Sequence, residues 1–338
     1  LYLQILIMAH CVGHSDFFKN NRMFKSTDPD NIVSRMRNSK KRIQGYTEDP
    51  MIGQDKVEEF LDSLHAIQYQ TNRYNLPRKS KDDIRLEQIE LLNKLKDDGY
   101  VVDYGFLEDK NMLLEADHDL LSFFKDWQYD ILNIVRNESA YFMPQIQTKI
   151  LNEGWASFWH YKICHELNLE DENHIPFLKL HNAVVRPHIG GVNPYHVGFY
   201  IFQKIEREFG IEKCFEVRET HDDASAIRLF LDEEAFRELN MFAYEYHKDG
   251  SATISDVSDH DDWKVVRDEM IRNTGVNSIP HIYVSRITSN GDLILNHEHD
   301  GRDLELDYAD NVMSHVSKIW NKGKAKLFTI IEDEIWEI

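Results

Sequence analysis

Leu151-Asn152-Glu153-Gly154-Trp155-Ala156-Ser157-Phe158-Trp159-His160 is the stretch from which the rest of the chain is best read. It follows Met143-Pro144-Gln145 and predicts a buried helix over Met143–His165. Apolar and aromatic residues surround one carboxylate and one imidazole. Glu153 and His160 are seven residues apart, two helical turns, so they share a face. A carboxylate among apolar side chains is costly unless something compensates its charge, and a metal ion or an Arg or Lys side chain can do so. Far upstream, in Ala9-His10-Cys11-Val12-Gly13-His14, two histidines stand four apart, again on one helical face.

The chain has 338 residues, enough for two domains at roughly 100–200 residues each. The formal net charge of -20 argues against a nucleic-acid or anionic-membrane surface, since both need clustered Lys and Arg. Cys11, Cys164 and Cys214 lie far apart and form no CxxC, so neither a disulfide framework nor a cysteine zinc site is suggested. The apolar run Leu1 to Val12 is too short to span a bilayer, which takes about 20 residues. It lacks the basic start and small-residue cleavage site of a signal peptide. It reads as a core helix, buried all round, whose preceding residues are missing, so the sequence is expected to be an N-terminally truncated fragment of a cytoplasmic protein.

From residue 1 to about 210 the pattern is helical: 1–18, Asp30–Tyr46, Gln54–Tyr69, Asp119–Val135, Met143–His165, and a helix capped by Asn193 with Pro194 at its first position, running to Phe209 and ending at Gly210. Residues 70–117 form a charged insertion whose segment Arg73–Asp98 holds one helix, Asp82–Leu95, and reads as a solvated periphery. Beyond 210, helical patches at Ala224–Leu231, Trp263–Arg272 and Tyr308–Ile319 alternate with β-like runs at Met241–Tyr246, His281–Ile287, Asp292–His297 and Lys326–Ile331. Asn290-Gly291 is a hairpin turn signal. The expected fold is α+β: a mainly helical domain over 1–210 followed by a small α+β domain over 211–338.

Two imidazoles one turn apart match the spacing of a zinc-binding helix. A pair of hydrogen-bonded core histidines gives the same pattern. Glu153 favours the metal. In the gluzincin metallopeptidases a HExxH helix supplies two histidine ligands, and a second helix reading Asn-Glu-Gly-aromatic-Ala supplies the third ligand through its Glu. Asn152-Glu153-Gly154-Trp155-Ala156 resembles that second motif position by position. Two neutral imidazoles and a carboxylate make a metal site with one position open to water, and the small Gly154 and Ala156 would let the two helices approach closely. The expected ligands are therefore His10, His14 and Glu153, holding zinc, with iron or manganese as alternatives. The general-base Glu of HExxH is missing; Cys11 stands there and is expected to point into the core. His160 and Glu138 are the candidates for a catalytic base, His160 also being a candidate fourth ligand, a group that orients a ligand, a proton shuttle or a hydrogen-bonded core histidine. His181, His188 and His196 cluster with spacings that diagnose nothing. His297 and His299 alternate on a strand end as a weak metal pattern. No phosphate-binding loop, GxGxxG or GxSxG is present.

Ala9-His10-Cys11-Val12-Gly13-His14-Ser15-Asp16-Phe17-Phe18-Lys19-Asn20-Asn21 resembles the AHxxGHxDFFKNN signature of the SpoVR (stage V sporulation protein R) family. Gln147-Thr148-Lys149-Ile150-Leu151-Asn152-Glu153-Gly154-Trp155-Ala156, with Trp159-His160, resembles its TKIxNEGWAxxWH signature, and Asn193-Pro194-Tyr195 with Gly198 a third block. The resemblance implies a link with spore cortex formation or, in bacteria that do not sporulate, a stress-related role beside a serine kinase. The family is not named a peptidase, so hydrolysis of amide bonds is read from the residues alone. A non-catalytic regulatory or scaffold protein, with a structural metal or a His/Glu network, is the competing reading.

Overall fold

A computed structural model describes residues 2–70, 125–167, 170–188, 191–239, 241, 244–246, 252–254, 262–320, 322–331 and 334–338. The charged insertion at 70–117, with Arg73–Asp98 and the helix Asp82–Leu95, lies outside the described residues apart from residue 70. In chain order the elements are α1 (Tyr2–Asn20), α2 (Ile32–Glu48), α3 (Gln54–Ala66), α4 (Asp126–Gln147), α5 (Lys149–Glu166), α6 (Asp171–Val184), α7 (Pro194–Phe209), α8 (Ile211–Thr220), α9 (Asp223–Phe230) and α10 (Glu233–Glu238). There follow β1 (Tyr244–Tyr246), β2 (Ala252–Ile254), α11 (Asp262–Arg272), β3 (Ile282–Ile287), β4 (Leu293–His297), α12 (Leu306–Trp320), β5 (Ala325–Ile331) and β6 (Glu334–Glu337). The fold is α+β, mainly helical before a small sheet near the C-terminus.

The chain divides into two compact units, each made of two separated segments: 1–30 with 141–278, and 31–140 with 279–338. Gly210, where the sequence suggests a boundary, lies inside the first unit, between α7 and α8. It does end α7, with φ +85° and its N–H donating to the Glu206 carbonyl at 3.0 Å.

In the first unit α5 packs on both α1 and α7 through contacts that leave no room for side chains. A Cβ added to Gly154 would meet the Gly198 carbonyl carbon at 2.2 Å, and one on Gly198 would meet the Ile150 carbonyl oxygen at 2.1 Å. On α1, a Cβ on Gly13 would stand 2.7 Å from the Ala156 Cα. Gly154 therefore serves α7, and Ala156 is the small residue that α1 approaches. Trp155, Phe158 and Phe202 fill the core beside these contacts, with Trp155 fully buried.

α5 is shorter than the sequence predicts. Met143–Gln147 belongs to α4, and Thr148 leaves the helical path with φ -128° and ψ 20°. The buried Thr148 hydroxyl donates to the Pro144 carbonyl at 2.6 Å, and the fresh N-terminus of α5 finds its acceptor elsewhere. Both Asp223 oxygens accept N–H groups, from Ile150 and Leu151, each at 2.8 Å. Burial pushes the Asp223 carboxyl up to about 8, and those two N–H groups pull against it.

α1 corrects a second expectation. Leu6, Ala9, Gly13 and Phe17 are buried, three to four residues apart, while Leu3, Ile7, Met8 and Val12 are 46–68 % exposed. The helix is apolar all round but buries one face. Cys11 lies on the exposed side and not in the core.

The second unit packs α3 against α4 and α12 through Val57, Phe60, Leu64, Ile131 and Val135, with Ile319 alongside. α12 also covers a four-stranded sheet ordered β3-β4-β5-β6. β3 and β4 form the predicted hairpin, with Gly291 at φ +86° in the turn. β4 and β5 run parallel, joined through α12, and β6 pairs antiparallel with β5. Among the described residues no helix is long and apolar enough to cross a membrane.

Candidate metal centre

The first unit brings His10, His14 and Glu153 together. One ligand atom from each lies within 4.8 Å of the other two, the only such group among the described residues. His14 Nε2 stands 3.0 Å from His10 Nε2 and 3.4 Å from Glu153 Oε2, and His10 Nε2 stands 3.7 Å from Glu153 Oε2. Two ligands of a tetrahedral zinc, at about 2.0–2.1 Å each, are roughly 3.3 Å apart, so the spacing suits one ion held by all three. The three side chains are 18–22 % exposed.

Each histidine is backed at its other nitrogen. His14 Nδ1 meets Asn152 Oδ1 at 2.9 Å. An amide oxygen only accepts, so His14 carries its proton on Nδ1 and turns a bare Nε2 to the centre. His10 Nδ1 meets His160 Nδ1 at 3.0 Å, and His160 Nε2 meets His181 Nδ1 at 2.8 Å. His160 and His181 are 1 % and 2 % exposed. Burial, with His181 and His10 alongside, holds His160 down to about 3, and burial with His165 nearby holds His181 down to about 4. Both rings are neutral at pH 7, so one proton sits on each and the chain can be written two ways. With protons pointing away from the centre, His10 offers a bare Nε2 and three acceptors face one another. With protons pointing toward it, His10 Nε2–H donates to His14 Nε2.

Glu153 decides how much each arrangement leaves unsatisfied. Its Oε2 is buried with no hydrogen-bond partner, and the His10 ring cannot cure this while its one Nε2 proton lies toward His14. Burial alone would raise the Glu153 carboxyl, but His10, His14 and then Tyr195 pull it down to about 2. Burial likewise would lower His14, yet Glu153 and Asn152 raise it above the ordinary histidine value. An anionic carboxylate and two imidazoles with lone pairs inward are a fitting donor set for a divalent cation.

α7 supplies the fourth wall. Asn193 caps it as predicted, its Oδ1 accepting from the Tyr195 N–H at 3.0 Å, while its Nδ2 donates to the Val184 and Arg186 carbonyls at 2.9 and 2.7 Å. This fixes Tyr195, whose ring stacks on His10 with centroids 6.2 Å apart and whose hydroxyl acts on Glu153. Burial and then Glu153 raise the Tyr195 pKa, so the hydroxyl keeps its proton.

The signature stretches also interlock outside the ligands. The Trp155 indole N–H donates to Asp16 Oδ2 at 2.9 Å, and Asn21 Nδ2 donates to the Arg218 and His221 carbonyls at 2.7 and 2.9 Å. The SpoVR-like protein family matches residues 1–279. This chain belongs to that family. An uncharacterised Escherichia coli (strain K12) protein, YcgB, is 29 % identical over 374 residues, covering 94 % of this chain and 72 % of YcgB. No solved structure matches.

Of the other predicted site residues, His160 stands behind His10 and is no member of the ligand group. Glu138 is half-buried on α4, in the second unit, and is not among the residues the first unit assembles. His196 is also on α7, and its Nε2 is buried without a hydrogen bond. His299 pairs with Asp303 at 2.9 Å and His297 with the Thr329 hydroxyl at 2.9 Å. Asn152, His181 and Tyr195 are participants that sequence reasoning did not single out. For Asn152 and Tyr195 the signal was adjacency to Glu153 and to the Asn-Pro cap.

Proposed function

We propose that this SpoVR-like protein binds a divalent metal ion, zinc first, with iron or manganese as alternatives, through His10, His14 and Glu153. The observation that carries the reading is the buried, unpartnered Glu153 Oε2 facing two imidazole nitrogens at 3.4 and 3.7 Å. Such an ion would supply Lewis acidity toward a carbonyl or a water molecule. The protein's own contribution is orientation: Asn152 and the His160–His181 pair fix the two rings. His160 is a weak base at about 3, so in this reading it positions His10. The activity to test first is hydrolysis of amide bonds, and the family's link with spore cortex formation makes wall-related amides the first substrates to try.

A second reading has its own support. No carboxylate besides Glu153 joins the group among the described residues, and Cys11 is exposed where a zincin carries its base. A regulatory or scaffold protein with a structural ion, or with the histidine chain alone, needs no base. Elemental analysis of protein purified without added metal tests the first claim. One equivalent of metal in the wild type, sharply reduced in Glu153→Gln and unchanged in Cys11→Ala, is expected. Metal-free wild type that takes up none on addition overturns it. If the ion is present but generic peptides and wall-derived amides are not cleaved, the second reading holds.

A further inference from the structure

A cavity of about 400 Å³ opens beside the candidate centre in the first unit. That is within the range of small-molecule sites, roughly 300–1,000 Å³. It shares His10 and Tyr195 with the centre, and Leu6, Val184 and Pro194 supply apolar walls. His160 and His188 line it too. Among the described residues no Lys, Arg, Asp or Glu reaches its wall. A charged group placed against those apolar walls would lose hydration there. An apolar body would gain roughly 25 cal/mol per Å² of buried surface. Tyr195, held by the Asn193 cap and stacked on His10, stands between the cavity and the centre.

Resting on the metal reading above, we propose that this cavity is the ligand subsite of the centre and takes an uncharged carbonyl compound. Its carbonyl oxygen lies toward His10, on the side of the centre, and its apolar substituent fills the space against Leu6, Val184 and Pro194. Asn193 is the positioning residue, because its three hydrogen bonds set where α7 begins and hence where Tyr195 stands.

The test uses the full chain loaded with zinc and three hydroxamic acids as probes, with affinities read by calorimetry. Benzohydroxamic acid should bind at least tenfold more tightly than acetohydroxamic acid, and 4-carboxybenzohydroxamic acid should lose that gain. Val184→Phe, which narrows the cavity, should abolish the preference for the benzo compound while zinc content stays the same. Equal affinities for the aceto and benzo probes on zinc-loaded wild type overturn the subsite, and so does undiminished binding of the carboxylate-bearing probe. A protein that takes up no zinc defeats the metal reading instead. The cavity is then read alone, by nuclear magnetic resonance titration of the zinc-free chain with benzamide. Saturable binding that Val184→Phe removes keeps the subsite, and no binding overturns it.

Discussion

The two compact units bury different kinds of residue. Besides hydrophobic side chains, the first unit buries Asn21, Asn152, His160, His181, Asn193, Lys204, Arg218 and Asp223. Among the described residues of the second, the buried polar side chains are hydroxyls alone, Ser63, Ser139 and Thr329. A buried hydroxyl needs one acceptor and finds it nearby, as Ser139 does at the Val135 carbonyl, 2.8 Å away. A buried amide, imidazole or carboxylate needs several partners in fixed directions and destabilises the fold when they are missing. The first unit meets that demand with helices held at glycine contacts and with side chains from distant parts of the sequence. The second is an ordinary amphipathic assembly. Some of these directional groups, Asn152, His160, His181 and Asn193, surround the candidate centre, and others, Asn21, Lys204 and Asp223, tie its helices together.

The hardest blow to this contrast is Gly198→Ala. Its Cβ would need to occupy space 2.1 Å from a backbone oxygen, so α5 and α7 must part. We expect a loss of more than about 4 kcal/mol, the range reserved for exceptional substitutions, seen as failure of the first unit to unfold cooperatively in urea. A near-neutral result would mean the glycine contact is not what sets the helix spacing. Leu327→Ala should cost about 2–5 kcal/mol, since it opens a hole under α12. Metal content should survive it at low temperature; loss of metal together with the sheet would erase the distinction between the units. Asn152→Leu removes the acceptor for His14 Nδ1 while keeping the volume, and should weaken zinc binding about 10–100-fold without much effect on melting. The smallest effect concerns pH. His14 is raised above its ordinary value, so below that raised pKa an incoming ion would have to displace its proton. Zinc affinity should then fall about tenfold per pH unit on acidification below the His14 pKa and level off above it. A flat profile from pH 5.5 to 8 would remove His14 from the ligand set.

How far the sequence could be read depended on the kind of signal. His10, His14 and Glu153 were visible because helical spacing carries side-chain direction, and the structure places them together. His181 was not, because it reaches His160 from another helix, twenty-one residues on, and no spacing rule spans a loop. α6 was missed because Pro176 sits inside it, which ordinarily argues against a helix. The exposed apolar stripe of α1 could not be told from its buried one, since composition was the same on both sides. The hairpin was legible from Asn290-Gly291, whereas β6 was not. Glu334 and Glu337 bracket only two apolar residues, and the strand exists because β5 offers it a partner. The units escaped notice because each is assembled from separated segments, which local patterns do not reveal.

With an ion in the proposed centre, the row of rings from His10 through His160 to His181 would also work as a telegraph. An ion taken at His10 Nε2 would oblige that ring to hold its proton on Nδ1, and each following ring would then carry its own proton on the outward nitrogen. Loading the proposed centre would thus settle which nitrogen of His181 is bare, at a residue outside the candidate ligand set. Nitrogen resonances of that single imidazole would announce whether the centre is full or empty, read from inside the protein and without reference to any reaction.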